Sequence, residues 1–92
     1  MYSVRFTPAA VSDLDRLPVF ARRRVLGEVR RQLVTDPVTF TRRKKIIVGE
    51  TDLVRQLRVG DYRVFYDVLV DEAVVLVWGV RRKERRTTGE IL

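Results

Sequence analysis

Leu57-Arg58-Val59-Gly60-Asp61-Tyr62-Arg63-Val64-Phe65-Tyr66 reads as two strands joined by a two-residue loop. Glycine at the first loop position suits a type II′ turn, whose twist matches that of the flanking strands. Such a turn fixes the register: Val59 opposite Tyr62, Arg58 opposite Arg63, Leu57 opposite Val64 and Gln56 opposite Phe65. Strand alternation then separates two faces. One carries Leu57, Val59, Tyr62, Val64, Tyr66 and Val68 and is expected to pack on helices. The other carries Gln56, Arg58, Arg63, Phe65 and Asp67. Two directly opposed arginines oppose pairing by about 0.2–1 kcal/mol. An anion between them removes that repulsion, and phosphate is the fitting guest for paired guanidinium groups. Arg81 and Lys83, if the alternation continues, join this face, and Phe65 offers a ring for base stacking. Asp67 is within reach to pair with Arg63 or Arg58. The residues alone leave open whether the face is a site or a solvated basic surface.

Outward from the hairpin, strand-like runs occupy residues 53–59, 62–69 and 73–80. The last is apolar throughout, as in a central strand covered on both sides. Trp78 within it reads most simply as core. Residues 2–6 alternate as a first strand. Thr7-Pro8 starts a helix, with a hydroxyl at the cap and proline at the first helical position. Val11, Leu14 and Leu17 recur at helical spacing until Pro18. A second helix places Val25, Leu26, Val29 and Leu33 on one face and ends at Thr35-Asp36-Pro37. The short connection implies an antiparallel helical pair. After the basic run Arg42-Arg43-Lys44-Lys45, the residues Ile46-Ile47-Val48-Gly49 form a turn or a short edge strand. The expected fold is α+β, with an N-terminal strand and a two-helix hairpin on one face of a small, mostly antiparallel sheet.

Composition narrows the chemistry. Ninety-two residues, 46% hydrophobic and 34% charged, make one folded domain spanning residues 1–92. The sequence has no cysteine and no histidine, so the commonest zinc ligands and the usual neutral-pH base are missing. No metal site or cofactor is expected. Net charge is +7, and the surface field attracts polyanions such as nucleic acid, or an acidic protein partner. The longest apolar run is too short to span a bilayer, and residues 1–6 do not resemble a signal peptide. A cytoplasmic protein is expected.

The hairpin, the acidic turn after it, the run 74–80 and the following Arg81-Arg82-Lys83-Glu84 together resemble the RelE/ParE superfamily of bacterial toxins. The first strand, the two helices ending in Asp-Pro and the basic stretch before Gly49 agree with it. The resemblance implies the toxin of a type II toxin–antitoxin pair, held inactive by a cognate antitoxin. In the RelE branch such toxins cleave messenger RNA on the ribosome without a metal. In the ParE branch they inhibit DNA gyrase.

By this resemblance Arg63 and Lys83 are the catalytic residues, stabilising the phosphate as the 2′-hydroxyl attacks it. Arg58, Arg81, Phe65, Lys44 and Lys45 are the expected contacts to RNA phosphate or base. Two family lysines fall on Val54 and Gln56, and the C-terminal aromatic falls near Gly89. Lys44, Lys45 and Glu50 are then alternative sources of a base. Glu84, among arginines, is expected to be a weak one. The shared hairpin motif does not separate the two branches; the RelE activity is the preferred expectation, with gyrase inhibition or antitoxin binding alone as the alternatives.

Overall fold

A computed structural model describes residues 1–38, 43–48 and 53–82. Along the chain run β1 (Ser3–Phe6), α1 (Pro8–Asp15), α2 (Val19–Leu33), β2 (Lys44–Val48), β3 (Leu53–Val59), β4 (Tyr62–Leu69) and β5 (Val74–Arg82). The five strands form one sheet in the order β1-β5-β4-β3-β2. β1 is parallel to β5, and all the other pairs are antiparallel. The α+β arrangement expected from the sequence is the one observed.

The start of α1 follows the local chemistry. Thr7 caps it by accepting the Ala10 N–H at 3.1 Å, and Pro8 occupies the first turn, where its missing N–H costs nothing. The buried residues of α1 are Ala10 and Leu14; Val11, expected on the apolar face, is 46% exposed. Leu17 lies past the helix end and is half-buried in the connection to α2. Arg22 fastens that connection by donating from Nε to the Leu14 carbonyl at 3.1 Å and from Nη2 to the Leu17 carbonyl at 3.4 Å. In α2 the residues Ala21, Val25, Val29 and Leu33 recur every fourth position and are buried. Leu26 packs at their margin.

Both helices cover the same side of the sheet, α1 over β5 and α2 over β3 and β4. They enclose one core with Leu57, Val59, Val64, Tyr66, Val75, Val77 and Val80. Burying each of the larger aliphatic side chains stabilises the fold by about 1.5–3 kcal/mol. Tyr2 falls outside β1 because its N–H goes to the Val34 carbonyl at 2.7 Å, tying the N-terminus to the end of α2. The Ile46-Ile47-Val48 segment belongs to the edge strand β2.

The hairpin register is the expected one, from Val59–Tyr62 and Arg58–Arg63 to Gln56–Phe65. Gly60 has φ +57° and Asp61 does not share a positive φ, as a type II′ turn requires. β5 departs from expectation in two ways. It runs two residues further, because its ladder with β4 continues to Arg63–Arg81 and Tyr62–Arg82. It also carries a bulge: Phe65 faces Gly79 and Tyr66 faces Val77, which leaves Trp78 as the extra residue.

Tyr66 sits at the bottom of the core, 1% exposed, and donates its hydroxyl to the Pro37 carbonyl at 3.2 Å. Burial raises its pKa above the ordinary 10.0; the nearby Arg55 charge opposes the shift and Asp36 adds to it. The folded chain therefore holds this proton more tightly than the unfolded chain. The associated stability is intact below about pH 10 and is lost as the pH rises through the folded value. Chemical denaturation between pH 9 and 11 should show the native protein losing stability by up to about 1.4 kcal/mol per pH unit from this group. Tyr66→Phe should flatten that slope, at a cost of about 0.5–1.5 kcal/mol at neutral pH.

Candidate nucleic-acid interface

Because β3, β4 and β5 are adjacent, their registers align Arg58, Arg63 and Arg81 in one row across three strands. Neighbours in such a row have backbones about 4.5–5.5 Å apart. Arg58 is exposed and Arg63 half-buried, and neither makes an ion pair with an acid among the described residues. The Nε of Arg63 and the Oε1 of Gln56 are buried without a hydrogen-bond partner there. The row is therefore a concentration of positive charge that the described part of the fold leaves uncompensated at its centre.

Its β5 end is held differently. Past β1, the edge of β5 is closed by α1: Thr7 donates its N–H to the Val77 carbonyl at 2.9 Å. Asp13 then accepts the Val80 N–H at 3.0 Å and pairs through the same oxygen with Arg81 Nη1. The Asp13 side chain is only 12% exposed, against 59% for Arg81, so the anchor is buried and the guanidinium faces solvent. Nothing near Asp13 in the sequence signals this role, since its partners lie 67 and 68 positions away.

Aromatic surface adjoins the row. The rings of Phe65 and Trp78 stack with centroids 5.2 Å apart at 22°. Trp78 is half-buried, and the bulge turns it towards Phe65, so it is not the core residue that simple alternation suggests. A Cβ on Gly79 would lie 3.5 Å from Phe65 Cδ2, 3.9 Å from Arg81 Nη1 and 3.9 Å from Asp13 Oδ2, so ring, guanidinium and carboxylate converge beside this glycine. A strand glycine opposite an aromatic residue was the available sequence sign of the irregularity.

The remaining expected site residues are dispersed. Lys44 does not reach the arginine face. It is 4% exposed, and its ammonium donates to the carbonyls of Gln32, in the last turn of α2, at 3.4 Å, and of Asp36 just beyond that helix. Lys45 is paired with Gln56 in the β2–β3 ladder, and Val54 with Ile47. Asp67 is exposed and pairs with neither Arg58 nor Arg63. Arg42, Gly49, Glu50, Lys83, Glu84 and Gly89 lie outside the described residues. Among the described residues, no three carboxylates gather into a metal-binding group.

Fixed cations in a line beside stacked rings form a surface suited to a phosphodiester strand with an unstacked base. Residues 4–87 match the family described as the ParE toxin of type II toxin–antitoxin systems, parDE. The chain belongs to that family, within the RelE/ParE superfamily, and is a toxin of a type II toxin–antitoxin system. Among solved structures, it is similar to the toxin–antitoxin complex RelBE2 from Mycobacterium tuberculosis, with a TM-score of 0.77 and 28% identity over 89% of this chain and 98% of that one. It is also similar to the archaeal RelE–RelB complex from Pyrococcus horikoshii OT3, with a TM-score of 0.73 and 30% identity over 92% of this chain and 98% of that one. The isolated RelE toxin of Escherichia coli shares the fold, with a TM-score of 0.73 and 23% identity over 99% of this chain and 94% of that one. A comparison with curated protein sequences gives no match.

Proposed function

We propose that this toxin is a RelE-like endonuclease that cleaves messenger RNA on the ribosome. The observation that carries the proposal is the Arg58–Arg63–Arg81 row, whose first two members have no acidic partner among the described residues. In this reading Arg58 and Arg81 bind backbone phosphate, and the Phe65–Trp78 stack receives a base. Arg63, at the centre, stabilises the charge that builds as the 2′-oxygen attacks phosphorus and the 5′-oxygen leaves. Lys83 keeps the second stabilising role that the superfamily resemblance gives it.

Guanidinium groups remain protonated at neutral pH, so they donate hydrogen bonds but do not take the 2′-hydroxyl proton. Tyr66 is excluded from that task by its place in the core and its raised pKa. The row therefore supplies electrostatic stabilisation and positioning, the larger share of catalysis in phosphoryl-type transfers. Two of the similar structures, from Mycobacterium tuberculosis and Pyrococcus horikoshii, are toxin–antitoxin complexes, and a cognate antitoxin is proposed as the inhibitor here. No helix among the described residues is long and apolar enough to cross a membrane; the proposed place of action is the cytoplasm, with the ribosome.

The family description names ParE, and the gyrase inhibition that the resemblance gives to the ParE branch is the second reading. Pulse labelling after induced expression separates the two. Early loss of protein synthesis with cut messages is the expected result, whereas early loss of DNA synthesis with intact messages would establish the gyrase reading instead.

A further inference from the structure

The arginine row does not end at Arg58. On the helix side of the hairpin tip lies a cleft of about 250 Å³ lined by Arg24, Glu28, Arg43, Arg58, Val59 and Gly60. Three of these six residues are arginines and one is an acid. That acid is already engaged: Glu28 Oε1 lies 3.3 Å from Arg43 and 3.6 Å from Arg31, and Oε2 accepts from Gln32 at 3.5 Å. Arg24 and Arg58 make no ion pair among the described residues.

Gly60 makes the arrangement possible in two ways. Its φ of +57° is a conformation other residues adopt only with strain, and its missing side chain leaves the place that Arg24 fills. A Cβ there would stand 3.0 Å from Arg24 Nη1 and 3.2 Å from its Cζ. The guanidinium is thus seated against the turn backbone, which lowers the entropy it would lose on gripping a ligand.

We infer that Arg24 and Arg58 form a second phosphate site, which takes a neighbouring backbone phosphate of the RNA strand held on the arginine row. Arg58 stands in the row and also lines the cleft, so the two are adjacent at the hairpin tip. The cleft presents guanidinium groups and turn backbone rather than an aromatic wall, which suits a phosphate better than a base. The inference rests on the RNA reading of the row.

Two measurements on the full chain test it. Titration with inorganic phosphate, followed by amide chemical shifts, should move Val59, Gly60 and Arg24. Arg24→Ala should abolish those movements, and the substitution suits an exposed helical position. With a short single-stranded oligoribonucleotide, Arg24→Ala should weaken binding several-fold and lower the salt slope by about 0.7. Arg23→Ala, on the same helix but outside the cleft, should leave that slope unchanged. Equal slopes for the native protein and Arg24→Ala overturn the inference. So does an Arg24→Ala defect confined to acidic peptides, which would make the cleft a protein contact. A native chain that takes phosphate in the cleft but binds no RNA overturns the RNA reading and leaves the anion site standing.

Discussion

Arg63→Ala should lower message cleavage by about 10²–10³-fold, the usual effect of removing a donor aimed at developing negative charge. The size follows from position. Arg63 is flanked by Arg58 on one side and Arg81 on the other, and no acid among the described residues neutralises it. Its charge is therefore available to a phosphate at the centre of the row, beside Arg58, which likewise has no acidic partner among the described residues. The same geometry predicts little loss of stability. Removing a like charge from between two others relieves about 0.2–1 kcal/mol of repulsion, which offsets lost packing of the arginine stem. Arg63→Lys should fall between native and alanine, because lysine keeps the charge and loses the planar fork. Cleavage rates in a translating extract, beside thermal unfolding of the same samples, provide the check. Full activity in Arg63→Ala, or a cooperative unfolding transition lowered enough to explain the loss, would contradict the assignment.

Lys44→Met should cost the fold about 1.5–3 kcal/mol and leave RNA affinity nearly unchanged. The expected loss is that of hydrogen bonds from a charged donor. Lys44 is 4% exposed, and its ammonium closes the end of α2 by donating to the Gln32 and Asp36 carbonyls. Carbonyls at a helix C-terminus have no partner within the helix and favour a cation. Methionine keeps much of the stem and removes the donor, which isolates that contribution from packing. Denaturant unfolding measures the loss, and oligoribonucleotide binding measures the affinity. Unchanged stability with weakened RNA binding would return Lys44 to the interface where sequence reasoning first put it.

Lys44 and the hairpin mark the boundary of what was legible without coordinates. Gly60-Asp61 is a two-residue turn, so the pairing of Arg58 with Arg63 follows from local chemistry and was readable in full. The same holds for the Thr7-Pro8 start of α1. Lys44 sits in a basic run that looks like a solvated loop. Its burial depends on the register of β2 on β3, with Lys44 opposite Leu57 and hence on the core side. No two-residue turn announces that register.

The third arginine was partly visible. Alternation suggested that Arg81 shares the face of Arg63, but the bulge between β4 and β5 resets the alternation. It also brings Trp78 out of the expected core onto Phe65. Asp13 was not visible at all. Its value lies in reaching the free edge of β5, a contact across most of the chain that leaves no local pattern. The superfamily resemblance supplied the toxin class, whereas the continuous row of cations and its buried anchor came from the sheet.

The central claim is that this row acts on a scissile phosphate. Purified toxin added to ribosomes programmed with a defined message tests it most directly, with the new RNA ends mapped. Cut message bearing a 2′,3′-cyclic phosphate is the expected result with the native chain, lost with Arg63→Ala. Intact message under conditions in which the same preparation inhibits DNA gyrase would contradict it.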